Sequence, residues 1–315
     1  MTSVRANSPA EAAKALLQHH YAIIRLPQNV LTVADSILAE GRTFFNLEAG
    51  IKEAFANPEI LEGYRKLGAE KDAVTDRPDL SESFTTWFCN AANPKVQAWT
   101  TTCQLHQTMS AGLGIYAEFT DKILKAIRAE IDPHYRAGDE SIVNIDSISY
   151  LQMNFYRPAM HKSENRDTVM DLHEDGHILT ILKPTKPGLM VEPGELVEAP
   201  TPQNPTGVFQ HDGNLQSVDI AEDEAILVPS SPTFYLTGGL IKPLFHGVAN
   251  KGDNIRQSLM FFVNPTRNIL LEHWVQTDKN RNVNIHDVVD AVSAKYGQPA
   301  ISQSVEWNLQ IDKES

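Results

Sequence analysis

The spacing of apolar and polar positions changes character midway along the chain. Tyr21 to Pro27 is a short apolar run of β type, and from Asn29 to Phe45 apolar residues recur at helical spacing. Leu47 to Ala56 continues as a second short helix. Between Glu62 and Asn93 the period is lost to the breakers Gly63, Gly68, Pro78 and Pro94, which predicts a long ordered loop with an aromatic cluster at Phe84, Trp87 and Phe88. Thr101 to Ile131 then sustains a helical period up to Asp132-Pro133, where proline cannot continue a helix.

After Ile145 the signal becomes one of strands, over 147–156, 177–183, 225–228, 233–236, 243–248 and 255–263, separated by Gly, Pro and Asn turns. Glu192 to Asp212 holds four prolines between Pro193 and Pro205 and predicts a long surface connection within the sheet region. Ile285 to Tyr296 has the period of a closing helix, and no internal repeat or low-complexity tract is present. The expected fold class is mainly β with flanking α-helices. A mostly helical amino-terminal part (1–140), a β core (141–268) and a helical tail (269–315) would together make one domain over 1–315.

Size and composition narrow the setting more than the function. A chain of 315 residues can bury a full core. Its formal charge of -13, with no Lys/Arg-rich run, would repel phosphate backbones, so nucleic acid is excluded as an expected partner. Cys89 and Cys103 have neither a CxxC spacing nor the density of a secreted disulfide scaffold, which predicts unpaired thiols in a reducing, cytoplasmic setting. No apolar run approaches a membrane span, and the opening Met-Thr-Ser-Val-Arg-Ala-Asn-Ser lacks the apolar stretch of a signal peptide. Oligomeric state is not readable from these features.

Candidate chemistry lies in three pairs of polar residues. Side chains at i and i+2 of a strand share a face, which couples Asn154 with Tyr156, His173 with Asp175, and Arg256 with Ser258. Inward-facing polar pairs need a ligand to satisfy them. His246 precedes the Arg256 strand by the turn Ala-Asn-Lys-Gly-Asp-Asn, so hairpin pairing is expected to bring His246 and Arg256 into one cavity. Two imidazoles and one carboxylate are the donor set that holds a non-haem Fe(II) and leaves neighbouring positions open. An Arg guanidinium beside a Ser hydroxyl is suited to fork a carboxylate.

One stretch supports a second metal reading. His173-Glu174-Asp175-Gly176-His177 also satisfies the zinc-protease pattern H-E-x-x-H, which requires a helix to bring both imidazoles to one ion. Gly176 and the following Ile178-Leu-Thr-Ile-Leu run favour a turn and a strand instead, leaving Glu174 and His177 as neighbours of the site. Met153, Met260 and Phe262 are expected to be packing residues.

The order Asn-x-Tyr, His-x-Asp, a distant His, then Arg-x-Ser followed by Phe-Phe-Val-Asn-Pro resembles the 2-oxoglutarate and Fe(II)-dependent dioxygenases of the isopenicillin N synthase-like group. Tyr21 to Phe55 is similar to that group's amino-terminal strand and helices, Gly188-Leu-Met-Val191 to its Gly-Leu-Gln-Val strand, and Thr101 to Ile131 to its spine helix, so the resemblance covers roughly Tyr21 to Asn268. It implies a double-stranded β-helix, or jelly roll, core. It also implies Fe(II) bound by His173, Asp175 and His246, a 2-oxoglutarate carboxylate clamped by Arg256 and Ser258, and support for that clamp from Tyr156 and Asn154. Phe84 and Trp87 would contribute to the substrate pocket.

The implied reaction consumes O2, converts 2-oxoglutarate to succinate and CO2, and oxidises a small organic molecule of specialised metabolism. Hydroxylation is the default outcome, and desaturation and ring closure also occur in the group. An iron oxidase of the same fold that uses no 2-oxoglutarate, and a non-catalytic jelly-roll binding protein, are the alternatives. The chain departs from the group in having no Pro-x-Ile-Asp type motif before Tyr21 and in the length of Pro193 to Asp212.

Overall fold

Ser8 and Pro9 start the first helix in a way their chemistry dictates. The Ser8 hydroxyl accepts from the Glu11 N–H at 3.2 Å, and Pro9 takes a position where no N–H is needed. A computed structural model describes residues 3–71, 76–132, 134–135, 141–143, 147–158, 166–251, 255–266 and 271–295. In it β1 (Arg5–Ala6) leads through α1 (Pro9–His19) to β2 (Ala22–Arg25), α2 (Gln28–Phe45) and α3 (Ala49–Glu53). Next come β3 (Ala56–Asn57), β4 (Glu62–Arg65), β5 (Glu82–Trp87), α4 (Pro94–Thr102) and α5 (Gln104–Ile131). Cys103, in extended conformation, separates α4 from α5, so the long helix starts slightly later than its apolar period predicts.

The remaining strands are β6 (Tyr150–Tyr156), β7 (Thr168–His173), β8 (Leu179–Pro184), β9 (Leu189–Pro193), β10 (Glu195–Glu198) and β11 (Val208–Gln210). They are followed by β12 (Gln216–Ser217), β13 (Glu224–Pro229), β14 (Leu244–Ala249) and β15 (Arg256–Val263). Among the described residues they form a nine-stranded sheet, β1-β2-β13-β8-β15-β6-β5-β4-β3, a four-stranded sheet, β12-β9-β14-β7, and the pair β10-β11. From β6 to β9, and again from β12 to β15, each strand lies in the opposite sheet from the one before. Pairing is antiparallel except between β1 and β2.

Strand parity divides β6 between two environments. Met153 and Phe155 face the helices, with Phe155 stacked on Phe45 of α2 at 4.9 Å, while Tyr150, Gln152, Asn154 and Tyr156 face a cavity between the sheets. Gly41 lets α2 approach this closely: a Cβ there would fall 1.6 Å from Met153 Cε. Among the described residues no helix is long and apolar enough to cross a membrane.

Four expectations need correction. The segment from Glu62 to Asn93 contains β4 and β5, which extend the large sheet beside β6; β5 is buried on both faces and therefore shows no clean alternation. Thr233 to Leu236 lies in a helix, Ser231–Leu236, because Pro232 opens it and the Glu174 carboxylate accepts the Ser231 N–H. The connection from Glu192 to Asp212 holds the antiparallel pair β10-β11. β14 and β15 do not form a hairpin, because they belong to different sheets. The closing helix is described as Ile285–Lys295; Tyr296 and the rest of the predicted tail lie outside the described residues, as does Asn268.

Candidate metal centre and cosubstrate pocket

The register of β14 on β7 sets His246 directly opposite His173, with ring centroids 4.5 Å apart. Asp175, just past the end of β7, reaches between them: its Oδ1 is 3.4 Å from His173 Nε2 and 3.5 Å from His246 Nε2. One donor atom from each residue lies within 4.8 Å of the other two. Each side chain is held from behind. The Thr180 hydroxyl donates to Asp175 Oδ2 at 2.7 Å, which turns Oδ1 toward the imidazoles. His173 Nδ1 faces the Asp171 carbonyl at 2.8 Å and His246 Nδ1 faces the Leu244 carbonyl at 3.5 Å, so each Nδ1 carries the hydrogen and each Nε2 points at the centre.

The electrostatics are those of a site short of a cation. Burial opposes charge on His173, but the hydrogen bond and charge of Asp175 outweigh it and lift the imidazole to about 9. Burial would raise Asp175, yet the facing imidazoles hold it well below the usual carboxylate range. Burial takes His246 down to about 4. A divalent metal held there would displace the proton that Asp175 favours on His173, and two nitrogens with one carboxylate oxygen fit Fe(II) with positions left open.

The zinc-protease geometry is absent from this stretch. β7 ends at His173, Gly176 turns the chain with φ +74°, and β8 begins at Leu179. Glu174 caps the helix Ser231–Leu236, and His177 is bonded elsewhere: Nε2 lies 3.1 Å from Tyr150 Oη and Nδ1 2.9 Å from Asn264 Oδ1. Gly176 is also a point of close packing, since a Cβ there would fall 1.8 Å from Val292 Cγ1 on the closing helix.

A cavity of about 420 Å³ between the sheets is lined by His173, Asp175 and His246 and by Ser258, Asn154 and Tyr156. β15 sets Arg256 opposite Tyr156 and Ser258 opposite Asn154, so the two predicted pairs meet across one strand boundary. Arg256 is 6% exposed, donates from Nη1 to Ser258 Oγ and lies with its Cζ 5.2 Å from the Tyr156 ring centroid. Among the described residues its Nε and Nη2 have no partner at hydrogen-bond geometry, and while burial opposes its charge the Tyr156 side chain is the group that favours it. Two open donors on a buried guanidinium are costly, and a carboxylate accepting both would satisfy them. Burial pushes the Tyr156 phenol up to about 12, keeping it a neutral hydroxyl.

Phe84 and Trp87 are placed differently from a pocket wall. Phe84 is fully buried on the helix-facing side of β5, 5.0 Å from Phe44, and Trp87, the cross-strand partner of Tyr150, stacks at 3.9 Å on that ring, which itself lines the cavity. Arg65, Glu70, Tyr150, Gln152, His177 and Lys295 also line it. Tyr150 and Gln152 extend the parity of Asn154 and Tyr156, a signal that is present in the sequence; Arg65 and Glu70 come from the segment expected to be a loop.

No protein-family model matches the sequence, and no match is found among curated proteins. Solved structures match over nearly the whole chain. A full-length Neurospora crassa protein in complex with alpha-KG and 5-formyluracil is similar at 14% identity and a TM-score of 0.63, over 92% of this chain and 90% of that one. The rice dioxygenase for auxin oxidation is similar at 16% identity and a TM-score of 0.64, over 94% and 92%. JOX2 in complex with 2OG, Fe and JA is similar at 17% identity and a TM-score of 0.58, over 87% and 80%. The chain has the fold of the 2-oxoglutarate/Fe(II) oxygenases.

Proposed function

We propose that this protein is a non-haem Fe(II), 2-oxoglutarate-dependent dioxygenase that oxidises a small organic metabolite. The observation that carries the reading is one cavity lined by a converging His173, Asp175 and His246 and by Ser258 and Tyr156, the two side chains against which the buried Arg256 guanidinium lies. His173, Asp175 and His246 would hold the iron. Arg256 and Ser258 would clamp the distal carboxylate of 2-oxoglutarate, with Tyr156 and Asn154 adding neutral hydrogen bonds. When bound, iron and cosubstrate supply the oxidising chemistry, using O2 and releasing succinate and CO2. The buried walls around them keep the cosubstrate oriented and water out.

The eight strands that alternate between sheets support a double-stranded β-helix core, and the whole chain is taken as one oxygenase domain. Cys89 and Cys103, which are not joined in a disulfide, suit the reducing cytoplasmic setting. The solved neighbours carry 5-formyluracil, thymine and JA, which supports a small-molecule substrate in this cavity as well. Hydroxylation is the expected outcome, ahead of desaturation or ring closure.

The test is succinate formation with Fe(II), ascorbate and 2-oxoglutarate, beside anaerobic measurement of iron-dependent 2-oxoglutarate binding. Absence of both overturns the reading. Iron-dependent turnover indifferent to 2-oxoglutarate would assign Arg256 and Ser258 to a substrate carboxylate, and a chain that binds no iron would be a silent binding jelly roll.

A further inference from the structure

A row of polar groups runs along the cavity wall from Arg65 and Glu70, through Gln152, to Asn154 and Tyr156. Side-chain amides can sit in two orientations of the same shape and opposite polarity, so their neighbours must choose between them. Gln152 Oε1 accepts from Arg65 Nη2 at 2.7 Å and from the Thr85 hydroxyl at 3.2 Å. Its Nε2 donates to both Glu70 oxygens, at 3.1 and 3.2 Å, and to Asn154 Oδ1 at 2.9 Å. A guanidinium only donates and an ionised carboxylate only accepts. Turned over, Gln152 would set N–H against Arg65 and oxygen against Glu70, so a single orientation remains.

That choice propagates. With Oδ1 engaged by Gln152, Asn154 directs Nδ2 to Tyr156 Oη at 3.4 Å, on the side of the Arg256 clamp. In the opposite orientation its carbonyl oxygen would face the incoming carboxylate. Glu70 is itself fixed by Arg65 Nη1 at 2.9 Å and the Ser83 hydroxyl at 3.3 Å. We propose that Glu70 and Arg65 are positioning residues whose fixed polarity is passed through Gln152, so that Asn154 presents N–H to the cosubstrate carboxylate. The inference rests on the 2-oxoglutarate reading given above. Because coupling is reciprocal, cosubstrate binding should in turn hold the segment carrying Glu70, 66–71, more tightly.

The experiment is anaerobic 2-oxoglutarate binding to the full, Fe(II)-loaded chain, by equilibrium dialysis, for wild type, Glu70→Gln, Asn154→Ala and the double variant. Glu70→Gln keeps the size but removes one of the two charged groups that fix Gln152, and its own amide can set a donor as well as an acceptor against Gln152 Nε2. Each single variant should weaken binding by about tenfold, the cost of one hydrogen bond to a charged group. The double variant should be no weaker than Asn154→Ala, since Glu70 acts through Asn154. Iron affinity should not move, and amide exchange in 66–71 should slow on 2-oxoglutarate binding in wild type but not in Glu70→Gln. Wild-type affinity in Glu70→Gln, or additive losses in the double variant, overturns the proposal. Failure of wild type to bind 2-oxoglutarate overturns the functional reading instead. Should Glu70→Gln not fold, Gln152→Leu breaks the same relay at similar volume and enters the same cycle.

Discussion

Two of the buried charged clusters in this protein are built on opposite plans. In the first, Glu82 is surrounded: Lys52 pairs with Oε1, the Tyr64 hydroxyl donates to Oε1 at 2.6 Å, and Arg157 Nε donates to Oε2 at 3.1 Å. Lys52 and Arg157 also donate to the Phe45 carbonyl at the end of α2, where cations suit the helix dipole. In the second, Arg256 keeps two nitrogens without a hydrogen-bond partner among the described residues, while donor atoms, one each from His173, Asp175 and His246, converge within 4.8 Å of one another. A cluster whose groups satisfy one another holds elements together. A cluster whose buried groups lack partners is a place for a ligand.

The contrast can be broken first at Asp175. Asp175→Ala should abolish stoichiometric iron binding and reduce turnover by about a thousandfold or more, ~4 kcal/mol of barrier, while the protein stays folded. Metal analysis with a melting curve checks this, and a variant that unfolds, or one that keeps wild-type activity, removes the distinction. Glu82→Ala should do the reverse. Taking one partner from a buried ion pair costs about 3 kcal/mol in denaturant unfolding, with iron and 2-oxoglutarate affinity of the folded fraction unchanged. Arg256→Lys keeps the charge but loses the planar fork, so 2-oxoglutarate affinity should fall by about 10- to 100-fold without loss of iron.

The finest test is the pH dependence of stability in the metal-free protein. His173 is raised from 6.5 to about 9, so its pairing with Asp175 contributes fully below pH 6.5 and is lost as pH rises through about 9. Burial tends to raise Glu82, but Lys52, Tyr64 and Arg157 together lower it below 4.5. Its contribution is therefore present above pH 4.5 and is lost as pH falls through the lower folded value. Melting temperatures should thus decline at both ends, the alkaline decline flattening in Asp175→Ala and the acid decline in Glu82→Gln. Identical profiles in the variants would remove the assignment.

The same contrast explains what is legible in the sequence. Arg256 with Ser258 and Asn154 with Tyr156 can be read there because strand parity is local and needs no knowledge of the partner strand, and His173 with Asp175 because the two lie close together across the end of β7. The closed cluster cannot, since Glu82 finds Lys52 30 residues away and Arg157 75 residues away, through contacts that only tertiary packing creates. β5 is hidden for a related reason: Glu82, Ser83, Thr85 and Thr86 are polar yet buried, so no alternation marks the strand. Thr233 to Leu236 has the composition of a strand, and its helix depends on Glu174 reaching the Ser231 N–H from a distant loop. The expected hairpin does not form because a short turn also permits a strand to change sheets.

Gly176 carries a consequence for how the protein matures. The space beside it, in the loop that carries Asp175, is filled by Val292 of a helix made near the end of the described chain. During synthesis all three metal donors leave the ribosome before the helix that packs on their loop exists. A chain cut short before Ile285 would carry His173, Asp175 and His246 without the Val292 packing beside their loop, so truncation is expected to register as poor iron retention before any loss of the sandwich itself.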